Sequence, residues 1–318
     1  MSPATQDTRA WLELLRSDPE AFNRERDALP DRARVDLRGV DLSGLDLFLA
    51  NFWRCDLSEA RLEGTRVSAG RLSCARLEGA GWRQARCEGD TEVLEHLELL
   101  WTDVEGFNRL RSRSGILQFL LVDLSGANLG AADLSGTYFN RADLSGADLT
   151  HCKLKKTTFA RAFLKGAKLQ GIRDRDIDFT GADLSGAAMG GVQLTTSTFE
   201  GANLEGADLS SARLQTCSFA NVHANSAIFT GASSLRVLFV NADLQRCRFD
   251  GASFSDCSFM ESDLREASFR SAALGDCRMY RCNVAQAEFE GARLEQATLT
   301  YLHQAELARN LPAGWGNR

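Results

Sequence analysis

Nine cysteines, four histidines, five lysines and a recurring aspartate are the residues of this 318-residue chain whose types could do chemistry. Cysteine and histidine together could hold zinc or form a nucleophile with its base, and carboxylates at a fixed spacing could act as an acid and base pair. Their arrangement argues against each. The cysteines are odd in number and none stands in a C-x-x-C pair, so neither a disulfide framework nor a zinc site follows. His96, His151, His223 and His303 do not cluster with them. No phosphate-binding G-x-x-x-x-G-K-[ST], no H-E-x-x-H and no G-x-S-x-G occurs. The aspartates recur in DLSG units, a spacing that suits solvated turns better than facing pairs. The expectation is a chain that is no enzyme and takes no cofactor or metal.

The elements that must position these residues follow from one period. DLSG stands at 41–44, 123–126, 133–136, 143–146 and 183–186, with ADL or ANL beside it. From Leu124 as the centre of a unit, steps of five reach Leu129, Leu134, Phe139 and Leu144, and continue to Leu299 through 36 units without a slip. Two positions before each centre the residue is small, as at Ala127, Ala132, Ala142 and Cys152. One large and one small apolar residue in five fits neither a helix nor an ordinary strand.

These units resemble the A(D/N)LxG consensus of the pentapeptide repeat family, over about 230 residues of the chain. The resemblance implies an all-β solenoid, a right-handed quadrilateral β-helix in which four units make one coil and the centre and small residues point inward. Four units per coil demand a second period of twenty, and the sequence has it. One column of centres reads Phe139, Phe159, Phe179, Phe199, Phe219, Phe239, Phe259, Met279, Leu299. Other phenylalanines fall partly in what the sequence suggests is a neighbouring column. Coils stacked at strand spacing would make about nine coils into a rod on the order of 40 Å long, and each coil relies on its neighbours for a core. Cys55, Cys152, Cys217, Cys247, Cys257, Cys277 and Cys282 occupy the small inward position, where a thiol packs as a small hydrophobe.

A shorter solenoid precedes this one, with eleven centres from Leu37 to Cys87 in a different register. The segments LELLRSDPEAFNRER at 12–26 and LELLWTDVEGFNRLR at 97–111 agree at ten of fifteen positions. Each reads as a helical hairpin, with Asp18 as N-cap, Pro19 at the first helical position and Pro30 as a stop in the first copy. The expected order is a helical cap (1–30), a short β-helix (31–88), a helical insertion or cap (89–116), a long β-helix (117–301) and a capping tail (302–318). Each hairpin either covers the open end of a β-helix or docks a partner.

The net charge of −6 is too mild to name a partner, but its distribution is banded. Lys153, Lys155, Lys156, Arg161, Lys165, Lys168, Arg173 and Arg175 give residues 151–175 a net charge of +7, whereas 177–212 has five acids and no base. Either neighbouring coils neutralise this basic belt or it grips phosphate or an acidic protein surface; without a series of aromatics, direct nucleic-acid binding is disfavoured. Asp174 occupies a centre, and burying an unpaired carboxylate is costly, so pairing with an arginine or a bulge over 172–177 is expected. Asp123, Asp143, Asp183, Asp243 and Asp263 would form an outward acidic column. Val240, Met260 and Tyr280, with Leu235 and Leu238 nearby, would form an apolar stripe fit for a partner or a homodimer.

The opening segment MSPATQDTRA lacks an apolar run, and no stretch of about 18 apolar residues occurs, so a cytoplasmic protein without membrane spans is expected. The uninterrupted rod and overall acidity resemble the members of the family, the Qnr-type proteins among them, that protect DNA gyrase or topoisomerase IV from inhibitors by imitating DNA. The chain departs from the Qnr type in having no loop inserted into its 36 units, two helical segments and a basic belt. The alternative is a scaffold or effector that binds another protein through the stripe or the belt.

Overall fold

The computed structural model describes residues 7–30 and 33–311, so the ends of the expected N-terminal cap and C-terminal tail, and residues 31–32, lie outside the described residues. The chain is a parallel β-solenoid of about 13 turns with few helices. It divides into two compact units, 1–125 and 126–318.

In the first unit, helices α1 (Thr8–Ser17) and α2 (Pro19–Asp27) form a hairpin hinged on Asp18, whose carboxylate accepts the N–H groups of Glu20 and Ala21. Four N–H groups at a helix start lack internal partners, and a capping carboxylate satisfies them. Trp11 packs edge-on against Phe22, which in turn contacts Phe52 of the solenoid. Short strands β1 (Val35–Asp36) and β2 (Cys55–Asp56) pair in parallel one coil apart, as do β3 (Arg66–Ser68) and β4 (Arg86–Glu88). The expected eleven regular units are interrupted. A helical turn, α3 (Ala69–Leu72), and a 3₁₀ turn at Trp82–Gln84 replace two corners, while Leu72 and Trp82 remain buried. The second hairpin, α4 (Glu92–Thr102) and α5 (Val104–Arg111), hinges on Asp103, with φ −151° and ψ 83° against −154° and 88° at Asp18. The duplication read in sequence is thus repeated in backbone conformation.

The second unit is built by one rule. The N–H of a centre typically donates to a carbonyl of the next coil, as from Leu129 to Asp148, Phe139 to Thr158 and Leu149 to Lys168. Most corners outside the strands close with a turn bond, as from Ala132 N–H to the Leu129 carbonyl. The residue before the small position is left-handed throughout, and this is what the glycine of DLSG supplies at Gly126, Gly136 and Gly146. Thr196 and Thr216 hold the same conformation at φ 50° and 53° despite their branched side chains. Six strands, β5 (Arg173–Arg175), β6 (Gln193–Thr195), β7 (Arg213–Gln215), β8 (Ser233–Leu235), β9 (Ser253–Ser255) and β10 (Ala273–Gly275), stack as one parallel sheet on a single face. Further along, β11 (Arg278–Tyr280) pairs with β12 (Thr298–Thr300). Residues 303–309 then occupy the edge of the last coil, where Val284, Gln286 and Phe289 donate to the carbonyls of His303, Leu307 and Arg309.

The core is a pair of aromatic ladders. Phe139 through Phe259 stack with ring centroids 4.5–5.3 Å apart. Phe229, Phe249, Phe269 and Phe289 form a second stack. That stack is offset by ten residues, hence on the opposite face of the square coil and not on a neighbouring one. The two ladders meet edge-to-face, as Phe229 does with Phe239 at 5.9 Å, a favoured aromatic geometry.

A distortion expected over 172–177 is present on one side: the ladder bonds that would join Arg173 to Cys152 and to Leu154 of the preceding coil are missing. Asp174 stays in register opposite Leu194, half-buried, and its Oδ2 accepts the Leu154 N–H at 2.7 Å. The partner is a backbone amide of the preceding coil, not an arginine. The carboxylate takes over one rung of the ladder, and the backbone pairing of the two coils is interrupted beside it.

Candidate interaction surface

The thiols are structural. Cys152, Cys217, Cys247, Cys257 and Cys282 donate to carbonyls twenty-three residues earlier, the bond that Thr157 and Ser262 make with hydroxyls. The inward small position thus accepts a weak donor as readily as a methyl group. Burial pushes the Cys152 and Cys282 thiols up to about 12. His96 is fully buried, with Nδ1 donating to the Glu92 carbonyl and Nε2 3.0 Å from Ser114 Oγ. Among the described residues no group of three or more His, Cys, Asp or Glu side chains could hold a metal ion, and no helix is long and apolar enough to cross a membrane.

The acidic column is less open than the sequence suggests. Asp143, Asp183, Asp243 and Asp263 do align on one face, through bridges that pass Phe163, Asn203 and His223. Each turns Oδ1 back onto the N–H two residues ahead, at Ser145, Ser185, Gln245 and Arg265. This is the side-chain turn that Asp and Asn favour, and Asn128 and Asn203 make it equally well. Asp263 is further held by Arg265 at 2.6 Å. Asp123 does not belong to an outward column at all: it is 4% exposed and paired with Arg34 at 3.1 Å within the first unit.

The basic belt is not a ring. Lys153 and Lys155 flank the centre Leu154, and Arg173 and Arg175 flank Asp174 one coil on, so these four share a face. Lys165 and Lys168 lie on the other faces, and Lys156 and Arg161 at corners with φ near 60°. Neutralisation between coils is partial: Lys153 meets Asp133 at 3.5 Å and Lys168 meets Asp148 at 3.6 Å. Lys155, Lys156, Arg161, Lys165 and Arg173 make no ion pair among the described residues. The period of twenty also puts Arg213 on the four-cation face, two coils beyond Arg173, where it had not been singled out from the sequence; only the ladder shows that Gln193 and Thr195 lie between them.

Met260 is exposed on the face after this one, with Val240 and Tyr280 half-buried above and below. Arg281 lies over the Tyr280 ring and Tyr301 meets its edge. Leu235 and Leu238 are exposed as well.

Comparison with known proteins agrees with this architecture. A family model described as pentapeptide repeats (8 copies) matches residues 33–64, 123–159, 141–173, 177–215, 217–256 and 238–276, together more than half of the chain. No curated protein matches. Among solved structures, HetL, a pentapeptide repeat protein involved in heterocyst differentiation regulation from the cyanobacterium Nostoc sp. strain PCC 7120, is 23% identical. That match covers 60% of this chain and 90% of HetL, with a TM-score of 0.30. Rfr23 from the cyanobacterium Cyanothece 51142 is 15% identical over 35% of this chain and 90% of its own, with a TM-score of 0.26. QnrB1, a plasmid-mediated fluoroquinolone resistance protein, is 17% identical over 60% of this chain and 95% of its own, with a TM-score of 0.23. A unit of five, a coil of twenty and a family match over more than half of the sequence have one explanation: the chain belongs to the pentapeptide repeat family.

Proposed function

We propose that the chain is a non-enzymatic binding protein and that its partner is a type II topoisomerase such as DNA gyrase, which it protects from inhibitors by presenting an acidic rod in place of DNA. The observation that carries this reading is the band at 177–212. Its acids, Asp178, Asp183, Glu200, Glu205 and Asp208, spread over three faces of the solenoid with no base among them. Glu200 and Glu205 are exposed, and each of the aspartates uses one oxygen to close a turn. A rigid ladder fixes these charges in space, so electrostatic complementarity to a DNA-binding surface is preorganised. The test is gyrase supercoiling with and without a fluoroquinolone. The expected result is supercoiling preserved under the drug at micromolar protein; no effect on either reaction overturns the reading. A second reading, a scaffold that binds another protein, is favoured by the exposed Leu235, Leu238 and Met260, an apolar group of the kind that marks contact surfaces.

A further inference from the structure

The face that carries Lys153, Lys155, Arg173 and Arg175 has a shape as well as a charge. From β5 to β8 a shallow open trough runs along it, lined at one end by Arg173 and Arg175, in the middle by Gln193, Thr195 and Arg213, and at the other end by Leu235. Its residues alternate about inward centres, so two rows of side chains form the walls. Asp174, between the two arginines in sequence, makes no ion pair with them, and its Oδ2 is engaged by the Leu154 N–H. Arg175 has only the Asp176 carboxylate at 3.9 Å, and Arg173 and Arg213 have no ion pair among the described residues.

We infer that this trough binds an extended acidic peptide segment, with its carboxylates over Arg173 and Arg175 and an apolar side chain against Leu235. Charge complementarity selects the acidic end: cations with few or no internal partners form strong charge-assisted hydrogen bonds to carboxylates, and arginine does so in bidentate fashion. Width selects a peptide. The neighbouring faces carry Asp178 and Glu200 on one side and Asp148 and Asp208 on the other, so a nucleic-acid duplex lying across more than one face would set phosphates against carboxylates. Length sets the spacing. Three coil steps of about 4.8 Å separate β5 from β8, which an extended chain at about 3.3 Å per residue spans in roughly four residues. The segment is therefore a run of acids separated by about four residues from an apolar residue. This surface is separate from the acidic band and stands whether or not a topoisomerase is the partner.

The probe is a fluorescein-labelled nonapeptide, Glu-Glu-Glu-Gly-Ser-Gly-Leu-Leu-Gly, titrated with the full chain by fluorescence anisotropy. Saturable binding that weakens between about 50 and about 150 mM salt is expected. Arg173→Gln with Arg175→Gln, both exposed and away from the core, should weaken it about tenfold, and Lys153→Gln with Lys155→Gln, an independent pair, several-fold. Leu235→Asn should weaken it about threefold without changing the salt dependence. Unchanged thermal melts confirm that the variants are folded. Absence of saturation, equal binding by the arginine variant, or equal binding of a peptide with its glutamates replaced by glutamines overturns the proposal. Stronger binding of a random-sequence DNA duplex through the same arginines overturns it in favour of nucleic acid.

Discussion

The aspartate of each repeat is a turn residue before it is a charge. At Asp148, Oδ1 accepts both the N–H and the hydroxyl of Thr150, at 3.0 and 2.7 Å, while the other oxygen faces Lys168. The Thr150 hydroxyl, ahead of the backbone N–H and Lys168, holds this carboxyl below its ordinary value despite partial burial. The same direction holds at Asp41 and Asp46, where bonds from the turn and from neighbouring arginines favour the ionised form. A carboxyl whose folded pKa is depressed stabilises the fold fully above its unfolded value of about 3.9 and loses that contribution as pH falls through the folded value. The melting temperature should therefore be flat above about pH 5 and fall below about pH 4. Because Asn128 closes the same turn without charge, Asp148→Asn should be nearly neutral at pH 7, with a shallower acid limb, whereas Asp148→Ala should lose about 1 kcal/mol. Equal losses for Asn and Ala in urea denaturation would show that the charge, and not the turn, is what matters here. The sequence revealed the spacing of these aspartates because a ladder in register repeats every column at twenty. It did not reveal their orientation, since that depends on where the N–H two residues ahead points. For the same reason it did not identify the partner of Asp174, a backbone amide that no residue pattern marks.

At the scale of elements, the first hairpin acts as a substitute strand. Asn23 Nδ2 donates to the Leu49 carbonyl at 2.9 Å, and its Oδ1 accepts the Asn51 N–H at 2.8 Å. The Asn51 N–H, just before the centre Phe52, is a group that a preceding coil would have paired, as Ala127 pairs the Asp148 N–H. One amide side chain therefore quiets an edge that would otherwise recruit another chain. Arg26 adds a bond to the Trp53 carbonyl, and Phe22 covers Phe52. Asn23→Ala removes both bonds and should destabilise the first unit by about 2 kcal/mol. Hydrogen exchange should show faster exchange at the Asn51 amide, with the ladder of the second unit unchanged, and protection at Asn51 equal to the parent would refute an edge-capping role. The helical nature of both hairpins was readable from Asp18, Pro19 and the repeated FNR. The helical turn at Ala69–Leu72 was not, because Leu72 keeps the inward spacing of a regular unit; five-residue arithmetic registers which side chains are buried and not the path between them.

At the scale of the molecule, a solenoid couples each coil only to its neighbours, so its stability is a sum of local interfaces. The two phenylalanine ladders make those interfaces unequal. Between Phe139 and Phe199 a single stack runs through the core, whereas Phe239 is stacked on Phe219 and Phe259 and also meets Phe229, Phe249 and Phe254 edge-on. Phe239 thus lies where the two ladders run side by side, and it is fully buried. Truncating it opens a cavity lined by rings that belong to rigid coils and cannot collapse inward, so Phe239→Ala should lose about 3–5 kcal/mol. Because coupling is local, the damage should also divide the second unit. Coils on either side of residue 239 would then unfold at different denaturant concentrations, and a single transition would separate into two. Phe289→Ala, at the end of the second stack against Phe269, should shift the curve without splitting it. Hydrogen exchange along a urea series distinguishes these outcomes: loss of protection at the Phe239 variant should begin in the coils around 219–259 and spread outward. Uniform loss across 126–311 would mean that the solenoid behaves as one cooperative block and that its surface charges are held by the whole rod rather than by neighbouring coils.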